Sequence, residues 1–301
     1  MSKKRILITL AVMAVMLSLA AAPAMAQSEL DQNQPVINTE WVMQERDKQT
    51  FTAQKTGTLD QVTIYAYCDF WSGCGYYERP QLIVGIEGAQ SDPVEIGEGG
   101  LGGYDFYLDP GPYVEAGKQY EIRLSTREFF PGQEYYPGLA LRLGGAAFDD
   151  YPGGDFYYWN GTDWSLPTAS TTGDFHDIAF QTYVTPDTTA PKVDTVKPTD
   201  GAKGVARGSS VTANFSEAVQ AATLTSSTVQ LFSGNSTKPI KATLSVNPST
   251  NPTSVTLTPS ERLDANNSYT AKIKGDATGV KDLAGNPLAS DFSWSFTTGS
   301  M

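Results

Sequence analysis

The sequence predicts an all-β protein made of two sandwiches in series: an N-terminal jelly-roll-like β-sandwich followed by an immunoglobulin-like one. Three observations carry this expectation. Apolar residues alternate at period two along many short segments, and no segment beyond the N-terminal leader repeats at helical spacing over several turns. Gly- and Pro-rich turns separate the segments, and residues 185–191 (TPDTTAP) break the series with two prolines and no large apolar side chain, as a linker does.

The chain opens with Lys3, Lys4 and Arg5, an apolar stretch over residues 6–22, and Ala24-Met25-Ala26. These are the three parts of a secretory signal, so residues 1–26 are expected to be removed before Gln27. Gln27 is not a cysteine and residues 297–301 form no hydrophobic tail, which gives no sign of a lipid anchor. The expected mature chain is secreted or held at a cell surface, with no transmembrane segment. Cleavage takes the formal net charge from −12 to −15, with 18 Lys and Arg left against 33 Asp and Glu. Such a surface repels nucleic acid and anionic lipid, and attracts cations. It also suits simple solubility.

In an oxidising compartment the two cysteines, Cys68 and Cys74, are expected to form a disulfide. A zinc site would need two further ligands, and the chain has one histidine, His176. Closing so short a ring contributes roughly 2 kcal/mol, less any strain.

Residues 27–184 are expected to form the first sandwich. Val62, Ile64 and Ala66 share one face, as do Leu82, Val84 and Ile86, then Tyr120, Ile122 and Leu124, then Leu139, Leu141 and Leu143, then Ile178, Phe180, Thr182 and Val184. With strands near 41–44, 49–53, 104–108 and 156–159 this makes about nine, the size of a jelly roll. Residues 192–299 carry seven more segments in about 110 residues, ending with Phe292, Trp294 and Phe296 on one face, which fits an immunoglobulin-like sandwich.

Ligand candidates lie in the first sandwich. Tyr151, Phe156, Tyr157, Tyr158, Trp159 and Trp164 are interleaved with Asp149, Asp150, Asp155 and Asp163. Aromatic faces beside carboxylates can stack on sugar rings and take hydroxyls. The same stretch also reads as a hairpin turning at Asn160-Gly161 with Trp159 and Trp164 packed across it. Trp71, inside the Cys68–Cys74 ring, is a further candidate, stiffened for contact with a partner. Trp71, Tyr158, Trp159 and Trp164 are therefore the expected ligand-binding residues. No cofactor is expected. The aspartates of 149–163, or Glu217 with Asp282 and backbone carbonyls, can gather around calcium, although turn carboxylates are also commonly just solvated.

Catalysis finds little support. There is no Gly-x-Ser-x-Gly elbow, no phosphate loop and no His-Glu-x-x-His, and the cysteines are used in the disulfide. A carboxylate pair of glycosidase type needs only two acids, but no pair stands out. The expected protein is not an enzyme. It is an adhesion or binding module whose partner is an extracellular glycan, a cell-wall polymer or another surface protein. A purely structural surface-layer or matrix component is the alternative, and a carboxylate-dependent glycoside hydrolase a second one.

In the second half, TTAPKV (188–193), KPTDGAKGV (197–205), VTANFSEAV (211–219), VTLTPSERLDANNSYT (255–270), VKDLAGNPL (280–288) and FSWSFTTG (292–299) occur in the order seen in bacterial Ig-like domains of S-layer and other cell-surface proteins, which this half resembles. That resemblance implies a spacer or anchoring module with no catalytic role. The first half, through QTFTAQKTGTLDQVTIYAY (49–67), YVEAGKQYEIRLS (113–125), DFYYWNGTDWSLP (155–167) and DFHDIAFQTYV (174–184), is similar to secreted bacterial jelly-roll modules such as carbohydrate-binding and anchor-associated sandwiches.

Overall fold

The computed structural model describes residues 27–43, 46–68, 80–97, 99–126, 141–146, 151–167 and 175–300. These residues are nearly all strand and turn. A three-residue 3-10 turn at Ala221–Thr223 is the helical element among them.

The first half folds into two facing sheets. One contains β1 (Glu29–Gln34), β2 (Thr39–Val42), β4 (Gly57–Cys68), β8 (Gly102–Tyr107), β9 (Tyr113–Val114), β11 (Leu141–Ala146), β14 (Asp177–Ile178) and β15 (Phe180–Pro186). The other runs in the order β13 (Trp164–Ser165), β12 (Phe156–Trp159), β3 (Arg46–Thr52), β10 (Gln119–Thr126), β5 (Gln81–Ile86) and β6 (Ala89–Gln90), with β7 (Val94–Glu95) also on β5. The chain repeatedly changes sheet, from β3 to β4 to β5 and from β10 to β11 to β12, so neighbours in sequence face one another across the core. Bridges of two residues, such as β6, β7, β9, β13 and β14, take the described strands past the nine expected.

The alternation read from the sequence is the alternation of burial. Val62, Ile64 and Ala66 are fully buried on β4, and so are Leu82 and Val84 on β5 and Ile122 on β10. They meet Phe51, Phe106, Phe156, Phe175 and Phe180 in one core. Leu59 and Val62 both point inward although three residues apart. The register of β4 against β15 shifts between Tyr183 and Val184, leaving Asp60 as the extra residue that restores the inward set.

Two polar contacts tie this core together. The Trp41 indole Nε1 donates to Asp47 Oδ2 at 3.0 Å. Gln49, fully buried on β3, donates to Asp177 Oδ1 at 2.8 Å and accepts from the Ile178 amide at 3.0 Å, so it joins the two sheets. A buried amide satisfied on both ends fixes alignment more than it adds stability.

The second half is a smaller pair of four-stranded sheets. One is ordered β16 (Val193–Lys197), β18 (Val211–Phe215), β21 (Ser254–Pro259), β20 (Ala242–Asn247), and the other β17 (Ala202–Val205), β23 (Phe292–Thr298), β22 (Ser268–Ile273), β19 (Val229–Ser233). Trp294 and Phe296 enter its core with Phe215, Leu231 and Tyr269. Asp282 closes the turn expected at 282–287: its Oδ1 accepts the Asn286 amide at 2.8 Å, and Gly285 takes the positive φ of 94° that the turn requires.

The expected linker begins later than its sequence implies. Thr185 and Pro186 still pair with Thr58 and Gly57, so they complete the first sandwich. Only glycine fits at 57, since a Cβ there would stand 2.1 Å from the Thr185 carbonyl oxygen.

Both halves use the same corner. The Glu115 amide donates to the Tyr120 hydroxyl and the Asp264 amide to the Tyr269 hydroxyl, each at 2.8 Å and each across five residues. Between them Gly117 and Asn266 have positive φ, of 83° and 53°. This is the tyrosine-corner device of β-sandwiches. Tyr120→Phe and Tyr269→Phe each strip a backbone amide of its acceptor, and each is expected to cost about 1–2 kcal/mol in a denaturant melt. No loss in either variant would show the corners to be incidental.

Candidate functional site

Inward packing of sheet β13-β12-β3-β10-β5-β6 decides what its other face displays. Because Phe156, Asp47, Gln49, Phe51, Ile122, Leu124, Leu82 and Val84 point inward, the residues between them must point out. The registers line up an outward row: Tyr157 opposite Lys48, Lys48 opposite Arg123, Arg123 opposite Gly85, and Gly85 opposite Gln90. Four strand spacings make this row roughly 19 Å long.

The row is held together by charge. Lys48 Nζ lies 4.9 Å from the ring centroid of Tyr157 and 4.9 Å from that of Trp164. It donates to Glu121 Oε1 at 2.8 Å, while Arg123 donates from Nε and Nη2 to Glu121 Oε2 at 3.0 and 2.8 Å. The Lys48 side chain is only 13% exposed, so its cation–π contacts are worth more than surface ones, about 1 kcal/mol each. Its hydrogen bond, followed by that from Arg123, holds the Glu121 carboxyl below its usual range.

The structure divides the expected ligand residues. Trp164 lies on this face against Lys48. Trp159 is opposite Trp164 in the backbone register of the hairpin. Tyr158 turns inward and packs on Trp41 with centroids 5.3 Å apart, because strand parity set by the buried Phe156 leaves it no other side. Tyr157, its neighbour, takes the outward place. Its offset of one residue from the buried Phe156, against two for Tyr158, was a usable signal that aromatic content alone concealed. Trp71 and Cys74 lie outside the described residues, and Cys68 ends β4 buried. The hairpin turn is longer than Asn160-Gly161: Asn160 Oδ1 accepts from the amides of Thr162 and Asp163, both at 2.9 Å, in a loop that spans residues 160–163. His176 is exposed, with its backbone joining Ala146 and Phe156.

A second cluster lies where the two sandwiches meet. Among the described residues, Asp187, Glu217 and Asp282 form the one group of three with ligand atoms all within 4.8 Å of one another. Glu217 and Asp282 are the pair expected from the sequence to face calcium, and Asp187 joins them just past the end of β15. Among the described residues this group offers three carboxylates to a hard cation. Part of their demand is met internally. Both Asp282 oxygens accept from Asn286 at 2.8 Å, and the Asn286 amide also donates to the carbonyls of Asp187 at 2.9 Å and Thr189 at 3.3 Å. Tyr113 donates to Asp187 Oδ2 at 2.9 Å, and Asn251 to both oxygens of Glu115 at 2.9 and 3.0 Å, adding bonds across the junction. Of the other aspartates, Asp149 and Asp150 lie outside the described residues. Asp155 faces the Tyr157 hydroxyl at 3.5 Å, and Asp163 accepts the Trp164 amide at 2.8 Å.

Burial, then repulsion from Asp187 and Asp282, raises the Glu217 pKa above its ordinary 4.5. The folded state therefore binds this proton more tightly than the unfolded one. The contribution to stability is complete below about pH 4.5 and is lost as pH rises through the raised value. Glu217→Gln is expected to melt a degree or two higher than wild type at pH 7, a solvent-screened effect of under about 1 kcal/mol, with the gap closing near pH 4. An unchanged gap across that pH range would remove Glu217 from the account.

Comparison with known proteins bears on the second half. Residues 187–298 match the family model described as a bacterial Ig-like domain. Among solved structures, the crystal structure of the N-terminal part of the bacterial S-layer protein SbsC is similar, with 20% identity and a TM-score of 0.28. The match covers 37% of this chain and 24% of that one. This chain thus spans about a quarter of the length of that solved chain. No curated protein matches the chain. The order of motifs from TTAPKV to FSWSFTTG, the pair of four-stranded sheets and the family match agree, and the segment 187–298 is similar to the bacterial Ig-like domains.

Proposed function

We propose that this is a non-catalytic secreted or cell-surface protein in which residues 27–184 form a binding module and the Ig-like domain acts as its spacer. The partner is an extracellular glycan, a cell-wall polymer or another surface protein, with a glycan fitting best. The observation that carries this reading is the ordered outward row of Tyr157, Lys48, Arg123 and Gln90, flanked by Trp164 and Glu121. Ring surface and fixed hydrogen-bonding groups on a rigid sheet are the elements of glycan recognition. The leader at residues 1–26 and the family of the second half support an extracellular or surface location. Among the described residues no helix is long and apolar enough to cross a membrane. In the same reading Cys68 and Cys74 close a disulfide that holds Trp71 as an accessory contact.

The test is a polysaccharide pull-down and glycan array with the mature full-length chain. Tyr157→Ala and Trp164→Ala are expected to weaken capture about tenfold or more while circular dichroism stays that of a β protein. A chain that retains no polymer at all would favour the purely structural role. Non-reducing peptide mapping should recover Cys68 linked to Cys74.

A further inference from the structure

We propose that the cleft over Gly85 is a subsite for one uncharged, hydroxyl-rich sugar residue, read by Arg123 and Glu121. The proposal deepens the glycan-binding reading above and rests on it.

Gly85 interrupts the outward row. Its partner Arg123 on β10 and its partner Gln90 on β6 both carry long side chains, so the missing side chain at 85 leaves a gap between them. The gap is a cleft of about 300 Å³ bordered by Glu87, Gln90, Glu121, Arg123 and Ser125. Its outer wall is the tight turn Glu87-Gly88, with φ of 48° and 87°, which joins β5 directly to β6. This volume is at the small end for ligand sites and suits a single ring.

The chemistry around the cleft favours a neutral polyol. Glu87 and Glu121 border it against one cation, Arg123, so an anionic sugar would meet two carboxylates. A hydroxyl needs both a donor and an acceptor. Arg123 donates, Glu87 and Glu121 accept, and Gln90 and Ser125 do both. Arg123 is 69% exposed, yet its guanidinium is anchored through two nitrogens on Glu121, which is in turn held by Lys48 between two rings. A long side chain anchored in this way loses less freedom on contact.

The site can be filled without disturbing the backbone. A Cβ at Gly85 would find nothing closer than the Ala89 carbonyl oxygen at 3.6 Å. Calorimetric titration of the mature full-length chain would use cellohexaose, xylohexaose and mannohexaose as neutral probes and an oligogalacturonate as the anionic one. At least one neutral probe is expected to bind, with the oligogalacturonate at least tenfold weaker. Gly85→Val and Arg123→Gln are each expected to lower the affinity for the neutral probe about tenfold, with Gly85→Val keeping the wild-type melting temperature. Wild type that binds none of the four would overturn the glycan-binding reading and the subsite together. Binding that Trp164→Ala weakens but that both cleft variants leave intact would overturn the subsite alone. Equal or tighter binding of the oligogalacturonate would overturn the neutral-sugar assignment.

Discussion

Burial of one face of sheet β13-β12-β3-β10-β5-β6 is the constraint on which the rest of the first half depends. Ile122, Leu124, Phe51, Phe156, Leu82 and Val84 leave water together, and strand geometry permits only alternate residues to do so. Everything displayed outside follows from that parity. Lys48, Glu121, Arg123 and Tyr157 are neighbours because the residues beside them are in the core. A one-residue slip of β3 would bury Lys48 and expose Phe51, so the core holds the outward row in register far more firmly than its own bonds could.

The bonds within that row serve shape more than stability. Exposed ion pairs contribute well under 1 kcal/mol, and Arg123–Glu121 is largely exposed. Lys48, being mostly covered, is the better anchor, and its position between Tyr157 and Trp164 connects the hairpin β12–β13 to the centre of the sheet. The aromatic residues here do two jobs: Tyr158 and Phe156 supply core, while Tyr157 and Trp164 hold a cation.

The junction between the two halves is built from short polar side chains. Asn286 joins the Ig-like turn to the carbonyls of Asp187 and Thr189, and Tyr113 and Asn251 add bonds across the same boundary. This gathers negative charge at one place, where Asp187, Glu217 and Asp282 converge. The raised pKa of Glu217 follows from its burial first and from this gathered charge second.

Much of this was legible in the residues themselves. Strand faces such as 62/64/66 and 120/122/124 were readable because period two is a local property of the chain. The ordered turns of the second half, above all DLAGNP, carry their geometry in Gly, Asn and Asp. Which of Tyr157 and Tyr158 faces water was readable in principle from Phe156, but the density of aromatic residues hid it. Three features came only with the tertiary structure. The row from Tyr157 to Gln90 runs over five strands, most of them far apart in sequence, the cleft exists because Gly85 falls opposite Arg123, and Asp187 meets Glu217 and Asp282 from 30 and 95 residues away. Each depends on inter-strand register or on docking, which are set by long-range packing and leave no trace in any short window of sequence.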